Sequence, residues 1–222
     1  VRFIGHSSGE RERSKLTTGS SDVVIVGGGI VACLSGYLLG KRGYKVTILE
    51  ADSLGAHASG FAFGGLDPLT GVGTPEPLLE FSLWCYGRHR GLAGELHEAT
   101  GIDVGFELRD RLHLAFTDDE VRKAKADIEW MKDVGGFHVE WLDNSQARKQ
   151  EPQVSHEIAG ALFEQSPGAL EPYRFILAAM RAAERYKAEM IQRRATGLIT
   201  DGERVTGVQL ENGTINAGIV VL

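Results

Sequence analysis

The alternation of apolar and polar positions divides the chain into short strands and amphipathic helices. Residues 23–26 are four consecutive β-branched residues and predict a strand buried on both faces, and 45–49 predict a second such strand that ends at Glu50. Between them, small and apolar residues from 30 to 41 predict a helix that ends before Gly43. This order of strand, helix and strand indicates the start of a parallel sheet.

Downstream of residue 73 the same patterns predict a series of helices and strands. Helices are expected over 75–100, 118–134, a short stretch after Asp143, and 172–186. Strands are expected over 104–108, 111–116, 138–142, 189–191, 195–200, 205–210, 214–216 and 219–222. The turn dipeptides Asp201-Gly202 and Asn212-Gly213 predict that the late strands form an antiparallel meander.

The two ends of the chain differ in composition. Residues 1–21 are rich in Ser, Thr, Gly and charges of both signs without periodicity, so we expect a flexible segment that is neither a signal nor a transit peptide. Residues 219–222 are the apolar run IVVL, which is typical of a buried strand. Because a chain that stops inside a buried strand lacks the neighbours that strand needs, we expect a fragment.

Composition narrows the class of protein. Of the 222 residues, 42% are hydrophobic and 24% are charged, and no apolar run is long enough to span a bilayer, which is typical of a globular protein. The net charge of −6 offers no basic surface for nucleic acid. Cys33 and Cys85 have neither disulfide-framework nor metal-knuckle spacing, which favours the reducing cytoplasm.

A glycine-rich turn directly follows the first predicted strand. Gly27, Gly29 and Ala32 fit the dinucleotide fingerprint G-x-G-x-x-G/A, and Glu50 lies 21 positions after Gly29 at the end of the next strand. The glycines permit a tight turn and the approach of a pyrophosphate to the helix N-terminus. Glu50 would accept hydrogen bonds from ribose hydroxyls, which disfavours a 2′-phosphate. The alternative is a βαβ unit whose glycines serve packing alone.

A second loop of small residues spans 54–73. Its central part, GAHASGFAFGGL over 55–66, is too long for a mere connection. A nicotinamide dinucleotide needs no such loop after the acidic strand end, whereas a flavin dinucleotide needs backbone against its diphosphate and its ring edge. The loop therefore favours FAD over NAD.

Four segments together resemble the D-amino-acid oxidase family, which includes glycine oxidase, sarcosine oxidase and dimethylglycine dehydrogenase. They are DVVIVGGGIVACLSGYLLGKRGYKVTILEA, HASGFAFGGLDP, GALEPYRF and DGERVTGVQLENGTINAGIVVL. The resemblance covers residues 22–222. It implies an α/β fold in which a Rossmann-type FAD-binding domain, at 22–100 and 170–222, is interrupted by a partial substrate domain with a mixed sheet at 101–169.

The resemblance also implies which residues contact FAD. They are Gly27, Gly29, Ile30, Val31 and Ala32 at the helix start, Glu50 and Ala51 at the ribose, Ala58 and Ser59 at the diphosphate, Phe63, Gly64 and Gly65 at the flavin-ring edge, and Thr196 at the adenine. Ala32 stands where the family usually has a third glycine. Most residues that bind substrate in the family lie beyond the matched stretch, so the catalytic residues are unknown.

His57 is counted among the cofactor-binding residues because of its position. It precedes Ala58-Ser59-Gly60, where the dimethylglycine dehydrogenase branch has a His-Ala-Ala-Gly that carries a covalent flavin. This chain lacks the tryptophan that precedes the histidine in those relatives, so a histidine in a polar loop is the other interpretation. The remaining histidines have no metal-ligand spacing, and we expect no metal site.

These observations predict an FAD-dependent oxidoreductase that oxidises the C–N bond of an amino acid or a secondary amine by hydride transfer to flavin. The expected partners are a small amine or amino-acid substrate and either oxygen or an electron carrier. An FAD-binding or nucleotide-binding module without turnover is the alternative. A serine hydrolase is a distant third, since the pentapeptide GHSSG around Ser7 matches GxSxG but precedes no amphipathic helix.

Overall fold

The computed structural model describes residues 17–71, 74–165 and 167–222, and the chain forms two compact units. Unit 1 contains Val1–His57 and Ala179–Leu222, and unit 2 contains Ala58–Ala178. The elements in chain order are β1 (Thr17–Val26), α1 (Ile30–Lys41), β2 (Val46–Glu50), β3 (Gly65–Leu66), α2 (Leu79–Thr100), β4 (Glu107–Leu108), β5 (Arg111–Ala115), α3 (Asp118–Met131), β6 (His138–Asp143), α4 (Asn144–Gln150), β7 (Gly160–Gln165), β8 (Gly168–Ala169), α5 (Pro172–Arg185), β9 (Glu189–Gln192), β10 (Ala195–Asp201), β11 (Arg204–Leu210) and β12 (Gly213–Val221).

Unit 1 is built on a six-stranded sheet of strand order β10-β11-β12-β1-β2-β9. Strand β1 is parallel to both β12 and β2, and β2 is parallel to β9. The strands β10, β11 and β12 pair antiparallel, which confirms the predicted meander. Parallel and antiparallel pairs share this sheet, and the predicted α/β fold is confirmed. The mixed sheet was expected in the substrate domain, whereas the one described here belongs to unit 1.

Helix α1 packs closely on β2, as a βαβ unit requires. All five residues of β2 are buried. A Cβ on Gly36 would lie 2.9 Å from Cδ1 of Ile48, and one on Gly40 would lie 3.0 Å from Cβ of Tyr186. These two glycines therefore let the helix approach the sheet and the chain after α5.

Unit 2 contains two three-stranded sheets, β3-β8-β4 and β5-β7-β6, and every strand pair described in this unit is antiparallel. One face of the second sheet packs on α3 through the buried side chains of Met131, Val139 and Leu162. The other face packs on α4 through Ala147 and Phe163. Strand β7 was not predicted, although it forms the centre of this sheet.

The structure corrects two predictions about the ends of the chain. Residues 17–21 are not a flexible segment, because Thr17–Val26 forms β1 and its first residues pair with β12; residues 1–16 lie outside the described part. Residues 219–222 do not form a buried strand, since Ile219 is 55% exposed and Leu222 is 82% exposed. Strand β11 pairs with β12 only as far as Asn216, and in the described part of the chain the later residues of β12 pair with β1.

The predicted helix bounds are confirmed for α1, whereas α2 begins later than expected. Pro75 and Pro77 do not open α2, which begins at Leu79 after a turn. The two strands expected over 214–216 and 219–222 form one continuous strand. The predicted domain boundaries after residues 100 and 169 stay a prediction.

Candidate functional site

The glycine turn of unit 1 connects β1 to α1. Gly27 has a φ of 109°, which favours glycine, and its amide donates a 2.7 Å hydrogen bond to the carbonyl of Leu49. Among the described residues, no heavy atom beyond its two chain neighbours lies within 4 Å of the place where a Cβ on Gly27 would stand. The turn therefore combines a backbone conformation that favours glycine with open space beside it.

The N-terminus of α1 directly follows this turn. Gly29 is the N-cap residue and offers no side-chain oxygen, and the first turn of the helix contains no acidic residue. Val31 is 75% exposed, whereas Ala32 is buried. The positive end of the helix dipole makes a terminus without acidic residues a suitable place for a phosphate.

Glu50, at the end of β2, is held by two backbone amides. The residue is only 7% exposed. Its Oε2 accepts a 2.5 Å hydrogen bond from the amide of Gly28, and its Oε1 accepts a 2.8 Å hydrogen bond from the amide of Asp52. Each carboxylate oxygen keeps a second lone pair for another donor. The carboxylate is thus fixed beside the glycine turn, as the spacing predicted.

Cys33, on the buried side of α1, lies beneath the same turn. Burial, and after it the negative charge of Glu50, raises the pKa of the Cys33 thiol to about 12. Its Sγ donates a 3.9 Å hydrogen bond to the carbonyl of Gly28. The thiol therefore stays protonated at neutral pH and acts as a packing group rather than a nucleophile.

The segment after β2 turns back toward the glycine turn. Ala51 is half-buried, and the amide of Gly55 donates a 3.1 Å hydrogen bond to the carbonyl of Gly28. Nε2 of His57 lies 2.7 Å from Oδ2 of Asp52, and the two side chains are 72% and 49% exposed. Potential ligand atoms of Glu50, Asp52 and His57 lie within 4.8 Å of one another. Acidic groups often lie this close together without an ion, so the distances alone assign no metal to this group.

The second small-residue loop begins unit 2. Gly64 has a φ of 84°, and a Cβ there would collide with the carbonyl oxygen of Leu170. The amide of Leu170 in turn donates a 3.0 Å hydrogen bond to the carbonyl of Gly64, and Gly65 pairs with Ala169. Phe63, just before these residues, is 89% exposed. The loop is therefore fixed by backbone contacts and presents an aromatic ring on its surface.

A family model described as FAD dependent oxidoreductase, with the short name DAO, matches residues 22–222. The chain belongs to this family. The predicted resemblance and the predicted cofactor, FAD, are confirmed. Among the DAO relatives, the chain is 34% identical over 143 residues to a glycine oxidase of Geobacillus kaustophilus, in a match that covers 64% of the chain and 38% of the relative.

Two further relatives extend this comparison. The chain is 31% identical over 212 residues to the sarcosine oxidase subunit beta of an Arthrobacter species, covering 91% of the chain and 50% of the relative. A solved glycine oxidase structure from Geobacillus kaustophilus superposes with a TM-score of 0.84 at 28% identity, covering 91% of the chain and 54% of that protein. The DAO chain therefore spans about half the length of these two relatives.

The predicted cofactor residues of this DAO chain fall into two groups. Unit 1 holds those of the glycine turn, α1, the end of β2, His57 and Thr196, and unit 2 holds Ala58, Ser59, Phe63, Gly64 and Gly65. Thr196 is exposed in β10, and its hydroxyl donates a 3.2 Å hydrogen bond to the carbonyl of Gln209. Ser7 lies outside the described residues.

Within unit 1, the residues fit a dinucleotide. The open space beside Gly27 admits a group that approaches the backbone, and the N-terminus of α1, with no acidic residue in its first turn, suits a diphosphate. Glu50 is an acceptor with free lone pairs, which suits ribose hydroxyls. In the described ranges, no helix is long and apolar enough to cross a membrane.

The contacts that Arg111 makes in unit 2 were not predicted from the sequence. Arg111 forms an ion pair with Asp67, and its Cζ lies 5.7 Å from the centroid of the Phe63 ring. Arg111 and Phe63 both line a cavity of about 590 Å³, whose apolar lining includes Leu114. The signal that could have found Arg111 is its place two residues before His113 in β5, which puts both on one face of the strand.

Proposed function

We propose that this DAO-family chain contributes the FAD site of an enzyme that oxidises the C–N bond of an amino acid or a secondary amine. When bound, FAD supplies the hydride acceptor for this chemistry. Support comes from family membership and from relatives named glycine oxidase and sarcosine oxidase subunit beta. The observation that carries the proposal is the buried Glu50 carboxylate, which the amides of Gly28 and Asp52 hold beside the glycine turn that leads into α1.

Each group of residues has a separate role in this proposal. The glycine turn and the first residues of α1 would bind the diphosphate through backbone amides, and Ala58 and Ser59 are proposed as further diphosphate contacts. Glu50, with Ala51 beside it, accepts hydrogen bonds from the ribose. The backbone of Thr196 contacts the adenine. Phe63, Gly64 and Gly65 lie along the ring edge. The proposal also includes a small amine or amino-acid substrate, and oxygen or an electron carrier as the final electron acceptor.

His57 has two possible roles, and its surroundings favour the simpler one. A covalent bond to flavin would need one imidazole nitrogen as a nucleophile. Nε2 lies 2.7 Å from Oδ2 of Asp52, in a pair that is largely exposed, so Nδ1 would be the nitrogen left for such a bond. The chain lacks the tryptophan that precedes the histidine in the relatives with a covalent flavin. We therefore propose that FAD is dissociable and that His57 belongs to the polar surface of the loop.

Anaerobic reduction of the bound flavin tests the proposed chemistry. The purified protein is loaded with FAD, and amines and amino acids such as glycine and sarcosine are added while the flavin absorbance is followed. The proposal expects at least one of these compounds to bleach the flavin, and a bleached sample to recover on exposure to oxygen or an added electron carrier. Binding of FAD with no bleaching by any amine would instead favour the FAD-binding module without turnover.

A further inference from the structure

Arg111 is a largely buried cation that the proposed function has not used. It begins β5, and its side chain is only 17% exposed. It forms an ion pair with Asp67, whose side chain is 27% exposed and which directly follows β3. The pair therefore joins the end of β3 to the start of β5, two strands that belong to different sheets of unit 2.

The guanidinium of Arg111 also lies against the predicted flavin-edge segment. Its Cζ is 5.7 Å from the centroid of the Phe63 ring, which is cation–π distance. A Cβ on Gly65 would lie 2.9 Å from Nη2 of Arg111. The guanidinium thus fills the space that a side chain at position 65 would need. Since Phe63 is 89% exposed, this contact is a principal restraint on its ring.

A second carboxylate lies on the strand beside Arg111. Arg111 lies opposite Glu164 in the register of β5 and β7, so the two side chains leave the sheet on the same face. Glu164 is fully buried, and its Oε2 lies 3.4 Å from Nε2 of His113, while Oε1 has no hydrogen-bond partner among the described residues. A buried carboxylate needs positive charge nearby. The planar guanidinium can donate hydrogen bonds to Asp67 through its edge while its face stays against the Phe63 ring.

We propose that Arg111 is a positioning residue for FAD: with Asp67 as its anchor, it fixes the orientation of the Phe63 ring and the backbone of Gly65. This inference rests on the proposed function, because it takes Phe63, Gly64 and Gly65 as flavin-edge residues. Orientation matters there, because displacement of a group by about 1 Å can reduce turnover about a hundredfold. Arg111 itself does not contact the reacting atoms in this proposal.

Three variants and one control test the inference on the full chain. Phe63→Leu removes the ring, Arg111→Lys keeps the charge but loses the planar group, and the double variant combines them. The control is Arg109→Lys, because Arg109 also pairs with a carboxylate, that of Glu107, but its side chain is 66% exposed. For each protein the dissociation constant of FAD is measured by flavin fluorescence, and the reduction potential of bound FAD by dye equilibration.

Each single variant is expected to weaken FAD binding roughly fivefold, the upper end of what an exposed cation–π contact contributes, and to shift the reduction potential. The double variant should bind FAD no more weakly than the worse single variant, because the two residues act through one contact. The control should match the unmodified protein. A merely structural ion pair would change thermal stability without changing the potential of bound flavin.

Several outcomes would overturn the inference and remain distinguishable from failure of the FAD site. If the unmodified protein binds FAD and Arg111→Lys has the same affinity and potential, positioning by Arg111 is wrong and the proposed function stands. Additive losses in the double variant overturn it equally. If Arg111→Lys does not fold, Phe63→Leu still tests the inference, because it leaves the ion pair intact. Unchanged FAD binding by the Phe63→Leu protein would then overturn the inference. If the unmodified protein binds no FAD, both proposals fall.

Discussion

Replacing Glu50 by glutamine tests the role of the carboxylate that ends β2. The side chain is buried and accepts hydrogen bonds from the amides of Gly28 and Asp52. Glu50→Gln keeps the shape of the side chain but removes the charge and replaces one acceptor oxygen by a donor. In the proposed site the ribose then loses a charged acceptor, and one backbone amide faces a second donor.

The magnitude follows from these hydrogen bonds. A hydrogen bond to a charged group contributes about 1.5–3 kcal/mol, so the loss of one and the weakening of a second should reduce FAD binding by about 2–4 kcal/mol. This corresponds to an increase of the dissociation constant by roughly 30-fold to 1000-fold. Stability without FAD should fall by about 1–3 kcal/mol, the cost of a buried amide whose acceptor is lost.

Isothermal titration with FAD measures the first effect, and thermal unfolding without FAD measures the second. Glu203→Gln is the matched control, because Glu203 is exposed between β10 and β11 and should leave both values unchanged. An unchanged FAD affinity in a folded Glu50→Gln protein would refute the reasoning. It would mean that Glu50 only orders the glycine turn and does not contact the ribose.

Three further predictions concern other parts of the structure. Gly64→Ala should destabilise the protein in thermal unfolding, because the new Cβ would collide with the carbonyl oxygen of Leu170; a stability equal to that of the unmodified protein would contradict this contact. Cys33 should resist alkylation near pH 8, because its pKa is raised to about 12, while Cys85, which is less buried, is the internal comparison; rapid modification of Cys33 in the folded protein would be contradictory. Glu120 accepts hydrogen bonds from two backbone amides that lower its pKa, so its stabilising effect should be present above its unfolded-state pKa and lost as pH falls through its folded-state pKa. Glu120→Gln should remove that part of the acid dependence of stability, and an identical pH profile would contradict it.

Local sequence patterns predicted the parts of the fold that depend on nearby residues. The apolar run of β1, the glycine turn and the small residues of α1 predicted these elements, and α1 has the predicted bounds. The spacing between Gly29 and Glu50 correctly placed the carboxylate at the end of β2. This spacing could not reveal that the Glu50 carboxylate accepts a hydrogen bond from the amide of Gly28, because that contact depends on how the strand end and the turn meet in space.

Features that depend on distant partners were missed. The sequence of β7 contains Glu164, whose charge argues against a buried central strand, and the residues that face it, Arg111 and His113, come from a strand distant in sequence. The ion pair between Arg111 and Asp67 joins residues 44 positions apart, which no local pattern indicates. The apolar run 219–222 suggested a strand of its own, but residues 219–221 continue β12, which pairs with β1 as far as Val221.

The most direct test of the central claim is the identity of the nucleotide that the purified protein binds. The protein is titrated with FAD and, separately, with NADH, and the bound material is released by acid and identified by chromatography. We predict a yellow protein that binds FAD, releases it intact and ignores NADH. A colourless protein that binds NADH and does not bind FAD would contradict the account.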